Sequence, residues 1–462
     1  MAMSLDTANN IARQALIASQ FQINLSARNV AAAGDENRSR VSPELATTIN
    51  GGVETVGVRR TENAAVFTRL INATATTAER DAVLRHLNSI SQTVGDPEVE
   101  TSIAARIGEL QNAVADYANA PDDPLFGRTV VERGRDVANE LNRITSEMLV
   151  IREETDREMF EAVEDINRQL DLFHNANTAI VSGTLRGGDV TMDLDRRDAA
   201  VKAISEHLGV TVLRRENNDM ALFTDAGVTL YDKQARSVTF DRTAIYTPGA
   251  VGGEVRVDGL AVTGPNTPMA STTGSIVGNA YVRDTIAATY QLQMDEIARE
   301  LTDIFDDPPG SLFTSTPPNS AGTIAINAAV DPAQGGTVEA LRDGSGNAGG
   351  NAFFADRMLT VSAALDTPTT FDPATELPDN ASLMTFATQS AGWLEGQRLT
   401  VEDQVLTESA ILRTASDSLS RITGVNLDDE YAQQLAIERS FSASSRLIGV
   451  IDELFVELLR IV

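Results

Sequence analysis

Three histidines, a run of aspartates and arginines, and a spaced set of glycines are the parts of this chain that could do chemistry. His86, His174 and His207 are its only imidazoles, and none has a second histidine three or four residues away, the spacing that lets one helical turn share a metal. Each lies in helix-patterned sequence among polar neighbours, which reads as a solvated side chain. Asp193, Asp195, Arg196, Arg197 and Asp198 could be an acid pair with arginine clamps, or oxygen ligands for Ca2+. They lack the ligand periodicity and the central glycine of a calcium loop. The run reads instead as a helix start, with carboxylates beside the positive end of the helix dipole. Gly344, Gly346 and Gly349 spell G-x-G-x-x-G, but no strand pattern precedes them, and Asp343, Ser345, Asn347 and Gly350 make a flexible loop of that stretch. With no cysteine in 462 residues, disulfides, thiolate metal sites and cysteine nucleophiles are excluded together. No catalytic residue, metal site or cofactor is expected, so the chain reads as a non-enzyme.

The elements that would position these residues are mostly helices. Residues 1–33 contain neither proline nor glycine. A break follows over residues 34–52, with Pro43 and a Gly-Gly pair, and residues 53–66 alternate weakly enough to be extended. Helical pattern resumes at Glu79, stops at Gly95, Asp96 and Pro97, and restarts with Ile103, Ile107, Leu110, Val114 and Tyr117 before Pro121 and Pro124. Residues 128–181 carry the longest stripe: Val137, Leu141, Ile144, Met148, Ile151 and Thr155 keep a three-four rhythm. Met159 and Val163 then each follow after four, a stutter that locally unwinds a coiled coil. At 1.5 Å per residue this arm is a rod of about 75 Å.

After Gly183 the character changes. Residues 210–213, 220–223, 228–231 and 237–240 are β-branched or aromatic and separated by turn residues, with one helix expected over residues 197–208. A helix returns over residues 284–305, a loop-rich stretch extends to about Asp379 with Ile324 and Ile326 as a candidate strand, and helix resumes from Leu383. The expected fold is α+β and multidomain: a long helical coiled-coil or bundle stalk formed by the N- and C-terminal segments, with an inserted β-rich outer domain. Its divisions are residues 1–182 (terminal helix and arm), 183–275 (β-rich insertion), 276–306 (returning helix), 307–382 (loop-rich) and 383–462 (C-terminal helices).

The two chain ends are patterned for packing. Phe441, Ser444, Ile448, Ile451, Phe455, Leu458 and Val462 alternate three and four apart, and Leu447, Leu454 and Ile461 widen that face toward a bundle. In the N-terminal helix Leu16, Ile23 and Val30 recur every seven residues, and residues 14–27 contain no charge. Gln14, Ser19, Gln20, Gln22, Asn24 and Ser26 give it a polar but uncharged filling, suited to a close, hydrogen-bonded helix layer. Two readings fit: first and last helices paired in the chain's own core, or a polymer subunit whose ends are buried by copies of itself.

The balance of 37 basic against 66 acidic residues leaves a net charge of -29, which argues against binding nucleic-acid phosphates. Residues 1–50 are neutral, however, so the first helix can approach its own copies. No cleavable leader pattern and no uninterrupted apolar run long enough for membrane insertion is visible.

Several segments together resemble the flagellar hook-associated proteins of the hook–filament junction. These are VTMDLDRRD at 190–198 with HLGVTV at 207–212, NAPDDPLFGR at 119–128, and the returning helix within 274–305. The C-terminus, GVNLDDE at 424–430, ASSRLI at 443–448 and DELF at 452–455, is similar to the endings of axial flagellar proteins. Where that family usually continues its first helix into a T-P-G-Y turn, this chain has Gly34, Asp35, Glu36 and Asn37. Flagellin is the nearest rival, but its L-S-S-G-x-R-I-N stretch is not present after the first helix. A hydrolase built on residues 193–198 is the rival from another class.

The resemblance implies a structural subunit, exported through the flagellar type III apparatus to the outside of the cell and held beforehand by an export chaperone at its C-terminal helices. It implies assembly as a ring or helical layer of copies between the hook protein and the second hook–filament junction protein. Leu16, Ile23, Val30, Phe441, Ile448, Ile451, Phe455, Leu458 and Val462 are the expected subunit-packing residues.

Overall fold

The structure, a computed structural model, describes residues 2–94, 102–247 and 249–461. The expected stop at Gly95, Asp96 and Pro97, Val462, and the side chain of Leu458 lie outside what is described.

Helix α1 (Ala2–Ala32) takes in the whole uncharged stretch, as its lack of proline and glycine predicts. The break that follows is not a loop but a hairpin, β1 (Val41–Thr47) against β2 (Val53–Arg60), with a bulge between Glu44 and Leu45. Pro43 is tolerated in β1 because a two-stranded ribbon leaves one side of each strand unpaired. Next come α2 (Ala64–Val94), α3 (Ile103–Asn119) and α4 (Pro124–Leu185). Ser102 caps α3 by accepting from the Ala105 amide, and Asp123 caps α4 by accepting from the Leu125 amide, with Pro124 in the first turn, where its missing N–H is not needed. At 62 residues α4 spans about 93 Å.

The middle of the chain opens with α5 (Thr191–His207) and continues into β3 (Val210–Arg214), β4 (Met220–Thr224), β5 (Thr229–Asp232) and β6 (Gln234–Ala235), an antiparallel meander. Three short strands, β7 (Val238–Thr239), β8 (Arg256–Val257) and β9 (Leu260–Ala261), form a second sheet. The return is α6 (Ser275–Tyr281), one π turn (Val282–Ile286) and α7 (Ala287–Ile304). The loop-rich part holds β10 (Phe313–Thr314) paired with β11 (Ala325–Ile326) around α8 (Ser320–Thr323). It goes on through α9 (Val338–Asp343), α10 (Asp356–Asp366) and the pair β12 (Thr369–Thr370) and β13 (Asn380–Ala381). The chain ends in α11 (Leu383–Thr423) and α12 (Leu427–Ile461). This is the expected α+β fold, long terminal helices around a β-rich insertion.

Two apolar cores lie along α4. Its first half, with Val137, Leu141, Ile144 and Met148, packs against α3, α7, the start of α11 and the loop-rich part. Its second half, with Met159, Val163, Ile166, Leu170 and Phe173, packs against α5, both sheets and the start of α2. Between the two cores falls the stutter, and there the inward positions are polar: Arg152, Thr155 and Asp156 are almost wholly buried. Asp156 accepts from Arg283 at 2.6 Å, from the Tyr246 hydroxyl at 2.8 Å and from the Thr243 amide at 2.7 Å. Arg152 donates to the Ala250 carbonyl and stacks on the Tyr246 ring at 4.3 Å. Arg283 belongs to the π turn, whose extra residue is a local widening of the helix.

Two expectations are corrected. The histidines are not solvated side chains: His86 is buried and 3.4 Å from Glu158, His174 meets the Tyr231 hydroxyl at 3.1 Å, and His207 bridges Asp165 at 3.0 Å and Ser275 at 3.2 Å. Polar sequence neighbours misled because the partners lie 42 to 72 residues away. Helix α5 begins at Thr191, not Arg197, so only Asp193 lies in its first turn, while Asp195 and Asp198 are interior positions held by Arg60. Gly344 to Gly349 follow the short helix α9, in keeping with the reading that no strand precedes them.

Candidate assembly interface at the terminal helices

The last helix lies along the first. The C-terminal end of α1 meets the first turn of α12, and burial continues along both, from Asn29, Ser26, Leu25, Ser19, Ala18 and Ala12 on one to Ile437 and Ile451 on the other. The two therefore run antiparallel, with the β1–β2 hairpin packed on α1 beside them. The most deeply buried residues of α1 are not its heptad stripe. Leu16, Ile23 and Val30 are only half-buried, whereas Ala12, Ala18, Ser19 and Ser26 are covered. Small residues let helices and ribbon approach closely, and their hydroxyls can hydrogen-bond across the gap.

One carboxylate organises the joint. Glu430, in the first turn of α12, is fully buried and accepts from Ser26 Oγ at 2.9 Å, Asn29 Nδ2 at 3.1 Å and Arg40 Nε at 2.7 Å. Asn29 also brackets Val41, donating to its carbonyl at 2.9 Å and accepting from its amide at 3.0 Å. Arg40 reaches Gln433 at 2.8 Å, and its amide donates to the Thr423 carbonyl at 2.7 Å. The ends of α1 and α11 and the starts of β1 and α12 thus meet at one point. The atypical turn makes this possible: Asp35 accepts from the Asn37 amide through its side chain at 2.9 Å and from the Arg38 amide through its carbonyl at 3.1 Å. Gly34 supplies the positive φ of 89° that leaves the helix.

A second set of charges ties this module to the rest. Arg60 at the end of β2 is buried and holds Asp195 at 3.0 Å and Asp198. Burial raises the Asp195 carboxyl above its ordinary value, and Arg60 works against that rise. Arg28 of α1 donates to Asp189 at 2.9 Å and to Thr191 at 3.3 Å. Sequence reasoning missed Glu430, Asn29, Arg40 and Arg60 as joint residues. The polar filling of α1 was the signal for Ser26, but nothing local marks a partner about 400 residues distant.

The pair leaves one face open. Of the expected packing residues on α12, Ile451 is buried at 3% exposure, and Phe441, Ile448 and Phe455 are half-buried. Leu447, Val450 and Leu454, spaced three and four apart, are about half exposed and form a continuous apolar stripe. Leu459 is 76% exposed. The ends pair within the chain, as the first reading of the sequence expected, and the pair keeps uncovered apolar surface of the kind that marks an interaction site. Among the described residues, no group of acidic and histidine side chains is placed to hold a metal ion, and no helix is long and apolar enough to cross a membrane.

Residues 87–308 match the family described as the flagellar hook-associated protein FlgK helical domain. That stretch runs from the end of α2 through α4, the β-rich insertion and α7. Among similar solved structures is the flagellar hook junction protein FlgK from Burkholderia pseudomallei, 19% identical with a TM-score of 0.46. The likeness takes in 54% of this chain and 47% of that one, so the chain spans about half the length of that protein. No curated protein sequence matches the chain.

Proposed function

We propose that this chain, whose residues 87–308 match the FlgK helical-domain family, is a structural subunit of the bacterial flagellum at the junction between hook and filament. The observation that carries the reading is the terminal pair: α1 and α12 close on each other and still present Leu447, Val450 and Leu454 uncovered. A subunit of a tube needs such a face, because head-to-tail contacts must repeat from copy to copy. Arg60 and Arg28 tie the module to α5 and to Asp189 just before it, and the β-rich insertion stands on the second half of α4.

On this reading Leu16, Ile23, Val30, Phe441, Ile448, Ile451, Phe455, Leu458 and Val462 pack against each other and against neighbouring copies in one layer. The hook protein lies below and the second junction protein above. Before export, a chaperone covers the stripe on the C-terminal helices, and the chain leaves the cell by type III export to act outside it. The histidine contacts and the buried Asp156–Arg283 pair hold elements of the body together and catalyse nothing.

Electron microscopy of a strain lacking the gene tests this: bare hooks, with filament protein lost to the medium, are expected. Ordinary filaments on those cells would overturn it. Removing residues 454–462 alone should leave a folded body and abolish junction assembly.

A further inference from the structure

We infer that Glu430, with Arg40, is a register key: it fixes one of several sliding positions that the apolar pattern of the terminal helices would otherwise accept. The buried positions of α1 repeat every seven residues, Ala12, Ser19 and Ser26 in one row and Ala18 and Leu25 in another. On α12 Phe441, Ile448 and Phe455 repeat at the same interval. A slide by one heptad, about 10 Å along the axis, therefore sets small on apolar residues as before and loses little burial. Pattern alone does not choose the register, just as a coiled-coil seam without a polar residue does not.

The carboxylate does choose. Slid toward the start of α1, Glu430 would face Ser19 and Gln22 in place of Ser26 and Asn29. It would retain neutral donors but lose Arg40, which is held by the Thr423 carbonyl and by β1. Slid the other way, it would pass beyond Ala32, where α1 ends, and lose both Ser26 and Asn29 with no further helical row to replace them. A fully buried carboxylate that loses its cation is strongly disfavoured, so every register but one is penalised. Glu430 and Arg40 are thus positioning residues for assembly, since the register decides which side chains of α1 and α12 stand side by side on the outward face.

The consequence for assembly rests on the junction reading, but the register itself is measured on the isolated full-length chain. Because the chain has no cysteine, spin labels can be placed at Arg13→Cys on α1 and Ala432→Cys on α12. Both sites are exposed, and they are offset along the axis, so that a slide is read almost in full. Pulsed electron–electron resonance should give one narrow distance in the parent. In Glu430→Leu and in Arg40→Met, helical circular dichroism should persist while the distribution broadens or gains a population shifted by up to about 10 Å. Glu430→Gln, which keeps hydrogen bonding to Ser26 but loses the ion pair, should lie between. A single unshifted distance in Glu430→Leu, a broad distribution in the parent, or loss of the helical signal in all three variants would overturn the key. Slipped helices in cells that still build normal junctions would uphold the key and sink the junction reading.

Discussion

Helices α4 and α12 carry the same kind of apolar stripe and end in opposite situations. On α4 every stripe residue from Val137 to Met148 is at 0% exposure, because α3, α7 and α11 surround it. On α12 a single partner helix covers one edge, and Leu447 and Leu454 remain 48% exposed. A heptad pattern therefore specifies that a face will be covered, not by what. The two also bury charge differently: at the α4 stutter Asp156 takes Arg283, Tyr246 and Thr243 from the insertion and the return helix, whereas Glu430 at the start of α12 gathers Ser26, Asn29 and Arg40 where four elements meet.

If that contrast is right, the body should break hardest where a buried ion loses its partner. Arg283→Met leaves Asp156 and Asp284 without their guanidinium, and a loss of about 3–5 kcal/mol is expected from urea unfolding. A loss under about 1 kcal/mol would mean that the network tolerates rearrangement. Next comes apolar truncation in matched positions. Leu141→Ala in α4 should cost about 2–5 kcal/mol, but Phe455→Ala in α12, already half-exposed, should cost the isolated chain less than about 1 kcal/mol. Equal costs would erase the distinction between the two helices.

Acid should separate the regions as well. Burial pushes the Glu158 carboxyl up, but hydrogen bonding and charge from His86, with help from Arg85 and Asn279, outweigh it and hold it down at about 2. A carboxyl held below its ordinary value stabilises the fold above that value. The contribution is lost as the pH falls from about 4.5 toward 2. For a partly exposed group it is on the order of 2 kcal/mol. Glu158→Gln should flatten the dependence of the body's thermal midpoint between pH 5 and 2.5, followed by near-ultraviolet circular dichroism (pH values about as stated). A dependence unchanged by the substitution would assign the acid sensitivity elsewhere.

What could be read from the chain divides along the same line. The helices were legible because their periodicity is local: the α4 stripe, the return helix and the C-terminal stripe all stand where the spacing puts them. The hairpin was half legible, since β2 alternates but Pro43 and the glycines obscured β1. The stutter was visible as a change of step. That it would admit Arg152 and Asp156 was not, because their partners Tyr246 and Arg283 are about 90 to 130 residues away. A still longer separation, about 400 residues, hid Glu430. It looks like one more acid in a helix's first turn, where the dipole favours it, until folding delivers Ser26, Asn29 and Arg40 to it.

The smallest expected effect on the isolated chain decides most about the open face. Leu447→Ser combined with Leu454→Ser removes apolar surface that water already reaches, so the unfolding free energy should stay within about 0.5 kcal/mol of the parent. If the stripe is where a neighbouring subunit sits, the same two changes should prevent incorporation at the hook end, because covering that stripe is then a central part of the contact. The measurement is paired: urea unfolding of the purified chain, and electron microscopy with motility of cells carrying the variant. Unchanged stability with lost filaments locates assembly on α12. Lost stability would show that the stripe already belongs to the chain's own core, and unchanged filaments would move the assembly face to α1 and the hairpin, where Ile17, Leu45, Ile49 and Val56 are exposed apolar side chains.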